Sequence, residues 1–166
     1  MTKKKRSKNK ALIIISKTLG TGVIICTVLL LLLLAIPRLL GYEIYNVVSG
    51  SMQPAIGIGD LILVKDINPE DLKEGDIIAY IHNDVVICHR VIENSVFAGK
   101  ITTKGDANEN EDPEMIDYYN VIGIVEHNYP FMGAVGEYVS SVSGKLLIIE
   151  LLVIGVLLNV VSDRLR

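Results

Sequence analysis

An uncharged apolar run near the N-terminus limits the folds open to this chain more than any other feature. Residues 18–37 carry no charge, and residues 29–34 are all leucine. Roughly 20 apolar residues in a helix match the hydrocarbon core of a bilayer, which is about 30 Å thick. Seven cations and no acid lie in residues 1–17, and an excess of positive charge keeps a segment cytoplasmic. The sequence therefore predicts a basic cytoplasmic tail over 1–17 and a transmembrane helix over 18–37.

A cleaved signal peptide is the main alternative for this run, because such peptides also begin with basic residues. The run is longer than the apolar part of a typical signal peptide. Residues 35–38 read Ala-Ile-Pro-Arg, which does not match the small-residue pattern of a cleavage site. We therefore predict a retained anchor, which puts the middle of the chain on the far side of the membrane.

A second apolar run, residues 146–162, predicts a second transmembrane helix with a cytoplasmic tail over 163–166. The run is near the lower length limit for a span, and it contains Glu150. An acid at the centre of a span costs about 2.5–3.5 kcal/mol on the insertion scale, offset by Leu, Ile and Val at roughly 0.3–0.6 kcal/mol each. Glu150 lies near one end of the run, where its carboxylate can reach the interface. A helix lying along the membrane surface is the alternative.

The segment 41–143 predicts an external, mostly-β domain with short strands and tight turns. Runs rich in β-branched residues predict strands at 45–48, 61–64, 77–81, 85–92, 96–97, 100–103 and 118–126. Asn68 followed by Pro69 predicts a single helical turn. Six cations face seventeen acids between Gly41 and Lys145, and this acidic balance argues against nucleic acid as a partner. Because CxxC and HExxH pairs are absent from the sequence, we expect neither a zinc site nor another metal or cofactor.

The stretch Ser49-Gly50-Ser51-Met52-Gln53-Pro54 predicts a rigid turn that displays a serine. Gly50 permits backbone angles that most residues avoid, and Pro54 fixes the exit of the turn. A serine held in this way is a candidate nucleophile if a base lies within hydrogen-bond reach. An ordinary polar turn has the same composition.

The partners of such a serine would come from one strand and one loop. His89 lies within an apolar strand, where its neighbours can fix the orientation of the ring. A Cys88–His89 dyad is excluded, since adjacent strand residues project to opposite faces. The acidic loop 105–114 supplies Asp106, directly after a strand and a glycine, and Asp112, before a proline. A serine, a histidine and an aspartate are the groups required for acyl transfer to water.

The order of these motifs resembles the type I signal peptidases, and within them the ER-type branch of eukaryotes, archaea and some Gram-positive bacteria. The resemblance covers roughly residues 47–125 and the N-terminal anchor. It rests on SGSMQP, then His89-Arg90-Val91, then Lys104-Gly105-Asp106-x-Asn108 with Asp112. The common bacterial branch has a lysine base where this chain has His89. A compact signal-peptidase-like β domain is the fold that this resemblance implies.

The resemblance also implies a role for each candidate residue. Ser51 would be the nucleophile and His89 the general base. Asp112 is the first choice to orient His89, and Asp106 would share or support that role. Ser49 matches a hydroxyl that helps to bind the oxyanion, together with the backbone N–H of Ser51.

The substrates implied by the resemblance are signal peptides of secretory preproteins with small residues at positions −1 and −3. Cleavage would take place on the extracytoplasmic side of the cell membrane, or of the ER membrane in a eukaryote, with the lipid bilayer as a partner. Three other interpretations stay open: another membrane serine or Ser–Lys protease, a non-enzymatic β domain on a membrane stalk, and an inactive homologue. A need for partner subunits also stays open.

Overall fold

A computed structural model describes residues 3–164, which form two compact units. The first unit is helical and combines the N-terminal residues up to Ala35 with the C-terminal residues from Tyr138. The second unit, Ile36–Glu137, contains the β domain.

The β domain contains seven strands, β1 (Tyr42–Asn46), β2 (Leu61–Lys65), β3 (Ile77–His82), β4 (Val85–Ser95), β5 (Lys100–Lys104), β6 (Ile116–Asp117) and β7 (Val121–Tyr129). They form one antiparallel sheet in the order β1-β2-β7-β3-β4-β5-β6. Because β7 pairs with both β2 and β3, the last strand joins the two halves of the sheet. The predicted mostly-β domain is confirmed.

Apolar clusters cover both faces of this sheet, because successive strand residues alternate between faces. On β3, Ile78 and Tyr80 belong to one cluster, while Ala79 belongs to the other. The first cluster contains Leu72, Ile78, Tyr80, Val91, Ile101 and Ile116. The second contains Met52, Ile56, Ile62, Val64 and Ala79. The buried Met52 thus fixes the stretch that contains Ser51 to the second face.

Several strand boundaries differ from those predicted. The first strand covers Tyr42–Asn46 rather than 45–48, because its register with β2 begins at Tyr42. Residues 96–97 are not a strand: the chain turns there, with hydrogen bonds from Ala98 N to Ser95 O and from Gly99 N to Val96 O. Tyr118–Asn120 forms a 3₁₀ turn before β7. The helical turn predicted after Asn68 is confirmed at Pro69–Asp71, with the Asn68 side chain accepting from Glu70 N.

Within the described residues, the helical unit contains two long helices, α1 (Lys3–Leu39) and α3 (Val142–Arg164). In chain order, the short α2 (Gly133–Ser140) follows β7 and precedes α3. Helix α1 begins at Lys3 and runs through the described part of the predicted basic tail and through the predicted span. Within the described residues, Lys10–Leu39 and Val142–Arg164 are long and apolar enough to cross a membrane.

Helices α1 and α3 pack against each other in antiparallel orientation. A Cβ added to Gly20 would lie 2.8 Å from Gly155 O. Ser162 Oγ donates to Ile13 O at 2.8 Å, and Lys17 Nζ pairs with Asp163 Oδ1 at 2.7 Å. Small residues let two helices approach closely, and the polar pairs add hydrogen bonds across the contact.

Candidate active site

Ser51 lies on a turn that hydrogen bonds and one buried side chain hold in place. Val47 N donates to Asp60 O at 2.9 Å, and Gly59 N donates to Val47 O at 2.8 Å, which closes the loop between β1 and β2. Met52 is 2% exposed. Ser51 is half-buried, and its Oγ lies 3.3 Å from Ser49 Oγ. The turn therefore presents two hydroxyls on a fixed backbone.

His89 lies on β4 and is buried, with its ring on the same face of the sheet as Tyr80. Its Nδ1 lies 2.6 Å from Asp112 Oδ2. The backbone N–H of Asp112 donates to Thr103 O at 2.8 Å, which fixes this part of the acidic loop against β5. One imidazole nitrogen thus faces a carboxylate.

Gly105 lies close both to the backbone of Ser51 and to the ring of His89. A Cβ at this position would lie 2.7 Å from Ser51 O and 3.0 Å from His89 Nε2. Ala107 N donates to Ser51 O at 2.8 Å, so the residues after Gly105 also hold the backbone of the serine turn. Because glycine has no side chain here, the second imidazole nitrogen can face the serine turn.

The two candidate aspartates have different partners. Asp106 forms a bidentate pair with Arg90, from Nε to Oδ1 at 2.8 Å and from Nη2 to Oδ2 at 2.7 Å. Arg90 also donates to Gly75 O at 2.7 Å, and its hydrogen bond to Asp106 raises the pKa of the guanidinium further. Asp112 therefore contacts the imidazole, while Asp106 holds the neighbouring arginine.

Two hydroxyls that the sequence did not suggest also reach this site. Thr103 Oγ1 donates to Asp112 Oδ2 at 2.7 Å, and Tyr80 OH donates to the same oxygen at 3.1 Å. Burial raises the pKa of Tyr80 well above its usual value of 10, so its hydroxyl keeps its proton. Strand alternation assigns each residue a face, but only the register of β3, β4 and β5 brings both hydroxyls to Asp112.

A pocket of about 170 Å³ opens beside the imidazole and carboxylate. It is lined by Tyr80, His82, Ile87, His89, Asp112, Pro113, Glu114 and Ile116. Cys88 belongs to the opposite face, and burial raises the pKa of its thiol to about 12, which makes it a poor nucleophile. Within residues 3–164, no group of three His, Cys, Asp or Glu side chains could hold a metal ion.

Comparison with known proteins gave one family and several relatives. The profile of the family described as "Signal peptidase, peptidase S26" matches residues 20–110. Signal peptidase I W of Bacillus subtilis (strain 168) is 34% identical over 89 residues, covering 51% of this chain and 47% of that protein.

Similar relatives come from eukaryotes. The signal peptidase complex catalytic subunit SEC11 of Metarhizium acridum is 36% identical over 101 residues, covering 54% of this chain and 59% of that protein. The catalytic subunit SEC11C of Canis lupus familiaris is 32% identical over 101 residues, with 54% and 53% covered. The chain thus spans about half the length of the relatives it matches.

Proposed function

The chain belongs to the signal peptidase family, peptidase S26, and we propose that it is a membrane-bound serine endopeptidase that removes signal peptides from secretory precursors. The family resemblance identified from the sequence motifs is thereby confirmed. The activity is supported above all by the 2.6 Å contact between His89 Nδ1 and Asp112 Oδ2. The other ring nitrogen, Nε2, lies beside Gly105, which also adjoins the backbone of Ser51.

In the proposed mechanism, Ser51 is the nucleophile and His89 is the general base. His89 Nε2 takes the proton from Ser51 Oγ as the oxygen attacks the carbonyl carbon of the residue at −1. The imidazolium then gives that proton to the leaving amine, the peptide C–N bond breaks, and an ester forms on Ser51. Water, activated by the same imidazole, hydrolyses the ester and restores the serine. Asp112 keeps the other proton on Nδ1 throughout.

Two donors near Ser51 would stabilise the tetrahedral intermediate. The Ser49 hydroxyl lies 3.3 Å from Ser51 Oγ, within range of an oxygen bonded to the same reacting carbon. We propose that the oxyanion accepts hydrogen bonds from this hydroxyl and from the backbone N–H of Ser51. Loss of one such donor costs about 10²–10³ in rate.

We further propose that the substrate is an extended peptide with small residues at −1 and −3, bound at the outer membrane surface. The basic N-terminal residues would stay in the cytoplasm, with α1 and α3 crossing the bilayer and the β domain outside. The charge of residues 1–17 and the two long apolar helices support this topology. Anchoring would raise the effective concentration of a membrane-bound precursor around the site.

The test is cleavage of a model secretory preprotein by the full chain in liposomes, with the product identified by mass. Ser51→Ala and His89→Ala should each reduce the rate by about 10⁶, and Asp112→Ala by about 10⁴. Matched controls are Ser95→Ala and His127→Ala, at sites outside the candidate active site. If folded Ser51→Ala or His89→Ala protein cleaves at the wild-type rate, the mechanism is wrong. Activity that depends on Lys104 instead of His89 would indicate a Ser–Lys protease.

A further inference from the structure

A single carboxylate oxygen in the site lies within hydrogen-bond distance of three side chains. Asp112 Oδ2 lies 2.6 Å from His89 Nδ1, 2.7 Å from Thr103 Oγ1 and 3.1 Å from Tyr80 OH. Thr103 is 0% exposed and Tyr80 is 2% exposed, so water cannot readily replace either hydroxyl. We propose that Tyr80 and Thr103 are positioning residues that hold the Asp112 carboxylate on His89 and thereby fix which imidazole nitrogen carries the proton.

The distances indicate where each hydroxyl directs its proton. Thr103 Oγ1 lies 3.3 Å from Tyr80 OH but 2.7 Å from Asp112 Oδ2. Tyr80 OH lies 3.4 Å from His89 Nδ1 but 3.1 Å from Asp112 Oδ2. Each hydroxyl has one proton, and a hydrogen bond to a charged acceptor is the stronger choice. Both protons therefore point to Asp112.

Asp112 needs such support because its surroundings leave it room to move. It lies in an irregular stretch of the chain between β5 and β6, and its backbone hydrogen bond to Thr103 O fixes the main chain but not the side-chain rotamer. The pocket of about 170 Å³ beside it offers space for a carboxylate to turn away from the imidazole. The two hydroxyls oppose that rotation from the core side.

Loss of Asp112 from Nδ1 would change the role of Tyr80. Its hydroxyl, 3.4 Å from Nδ1, could then donate to that nitrogen. The neutral imidazole would carry its proton on Nε2, which is the nitrogen that must accept from Ser51. An imidazole in the wrong tautomer loses most of its activity as a base. Thr103 makes the shorter contact with Asp112, so its hydroxyl contributes more than that of Tyr80 to holding the carboxylate on Nδ1.

This inference rests on the proposed function, and a mutant cycle on cleavage rate tests it. Thr103→Val and Tyr80→Phe remove one hydroxyl each and almost preserve side-chain volume. Each should lower the rate about tenfold or more, as expected for a hydrogen bond to a charged group, and Thr103→Ser should restore much of it. In an Asp112→Ala background, neither change should lower the rate further. An equal loss in both backgrounds, or no loss in either, overturns the inference.

Matched controls separate positioning from packing. Thr102→Val makes the same substitution one residue away on β5, and Tyr118→Phe removes the hydroxyl of another tyrosine packed against the first cluster. Both controls should retain the wild-type rate. A loss in the controls as large as that in Thr103→Val and Tyr80→Phe would identify a general packing effect and overturn the inference.

A second measurement requires no turnover. The ¹⁵N chemical shifts of His89 in the full chain report its tautomer, with the other histidines assigned by His82→Gln and His127→Gln. We expect the Nδ1–H form in the wild type and a mixture in the Tyr80→Phe, Thr103→Val double variant. An unchanged tautomer overturns the inference even if the chain proves not to be a peptidase. Conversely, a changed tautomer with full cleavage by Ser51→Ala would refute only the proposed function.

Discussion

Replacing Gly105 with alanine should reduce cleavage because the site has no room for a methyl group there. The added carbon would lie 2.7 Å from Ser51 O and 3.0 Å from His89 Nε2. Ordinary van der Waals contact begins at 3.4 Å, so the two contacts are too short by roughly 0.7 and 0.4 Å. The backbone of Ser51 and the ring of His89 must therefore move apart.

Neither neighbour can move without changing the geometry of the proposed active site. Ser51 O accepts from Ala107 N at 2.8 Å, and His89 Nδ1 is hydrogen-bonded to Asp112 Oδ2 at 2.6 Å. A misplacement of about 1 Å can cost about 10²-fold in rate, so this smaller displacement should lower kcat/KM about tenfold to hundredfold. Overpacking of this kind costs about 1–3 kcal/mol of stability.

The assay compares cleavage of a model preprotein by Gly105→Ala and wild-type chains in liposomes, together with their thermal unfolding. Gly57→Ala is the matched control, because a Cβ at Gly57 would meet nothing closer than 3.6 Å. The control should cleave at the wild-type rate. Wild-type cleavage by folded Gly105→Ala protein would refute the argument from close approach.

Three further predictions concern stability. The pKa of Asp60 is held below its usual 3.8, chiefly because Gly57 N–H donates to the carboxylate. The ionised carboxylate therefore stabilises the fold above pH 3.8, and this stabilisation is lost as the pH falls below 3.8. The Tm of Asp60→Asn protein should fall less than that of the wild type between about pH 5 and pH 3. Arg90→Lys cannot form the bidentate pair with Asp106 and should cost about 1–3 kcal/mol in urea unfolding. Gly20→Leu should lower Tm in micelles, because a side chain there meets Gly155 O at 2.8 Å, whereas Gly22→Leu should not, since nothing lies within 4 Å.

The parts of the site that depend on local sequence could be predicted before the structure was known. The turn around Ser51 follows from its glycine and proline, and the separation of Cys88 from His89 follows from strand alternation. Asp112 could not be ranked above Asp106 with certainty, because the choice depends on the path of a ten-residue loop. Its backbone hydrogen bond to Thr103 O directs that path, and no local pattern encodes it.

Residues that act through pairing between strands were harder to predict. Tyr80 and Thr103 reach Asp112 because β4 pairs with β3 on one side and with β5 on the other. A shift of one residue in either register would turn the corresponding side chain to the opposite face. The sequence alone defines the alternation within each strand but not the register between them, so the positioning hydroxyls could not be found from the sequence.

The C-terminal helix illustrates the same limit in a different setting. From the sequence, its membrane role depended on the length of the run and on the cost of Glu150. In the structure, two buried residues of α3 contact α1: a Cβ added to Gly20 would lie 2.8 Å from Gly155 O, and Ser162 Oγ donates to Ile13 O. The ion pair between Lys17 and Asp163 joins charged groups from both helices at the same end of the pair. Since pairing lowers the cost of placing such groups near a bilayer, the contact with α1 supports the proposal that α3 spans the membrane beside α1.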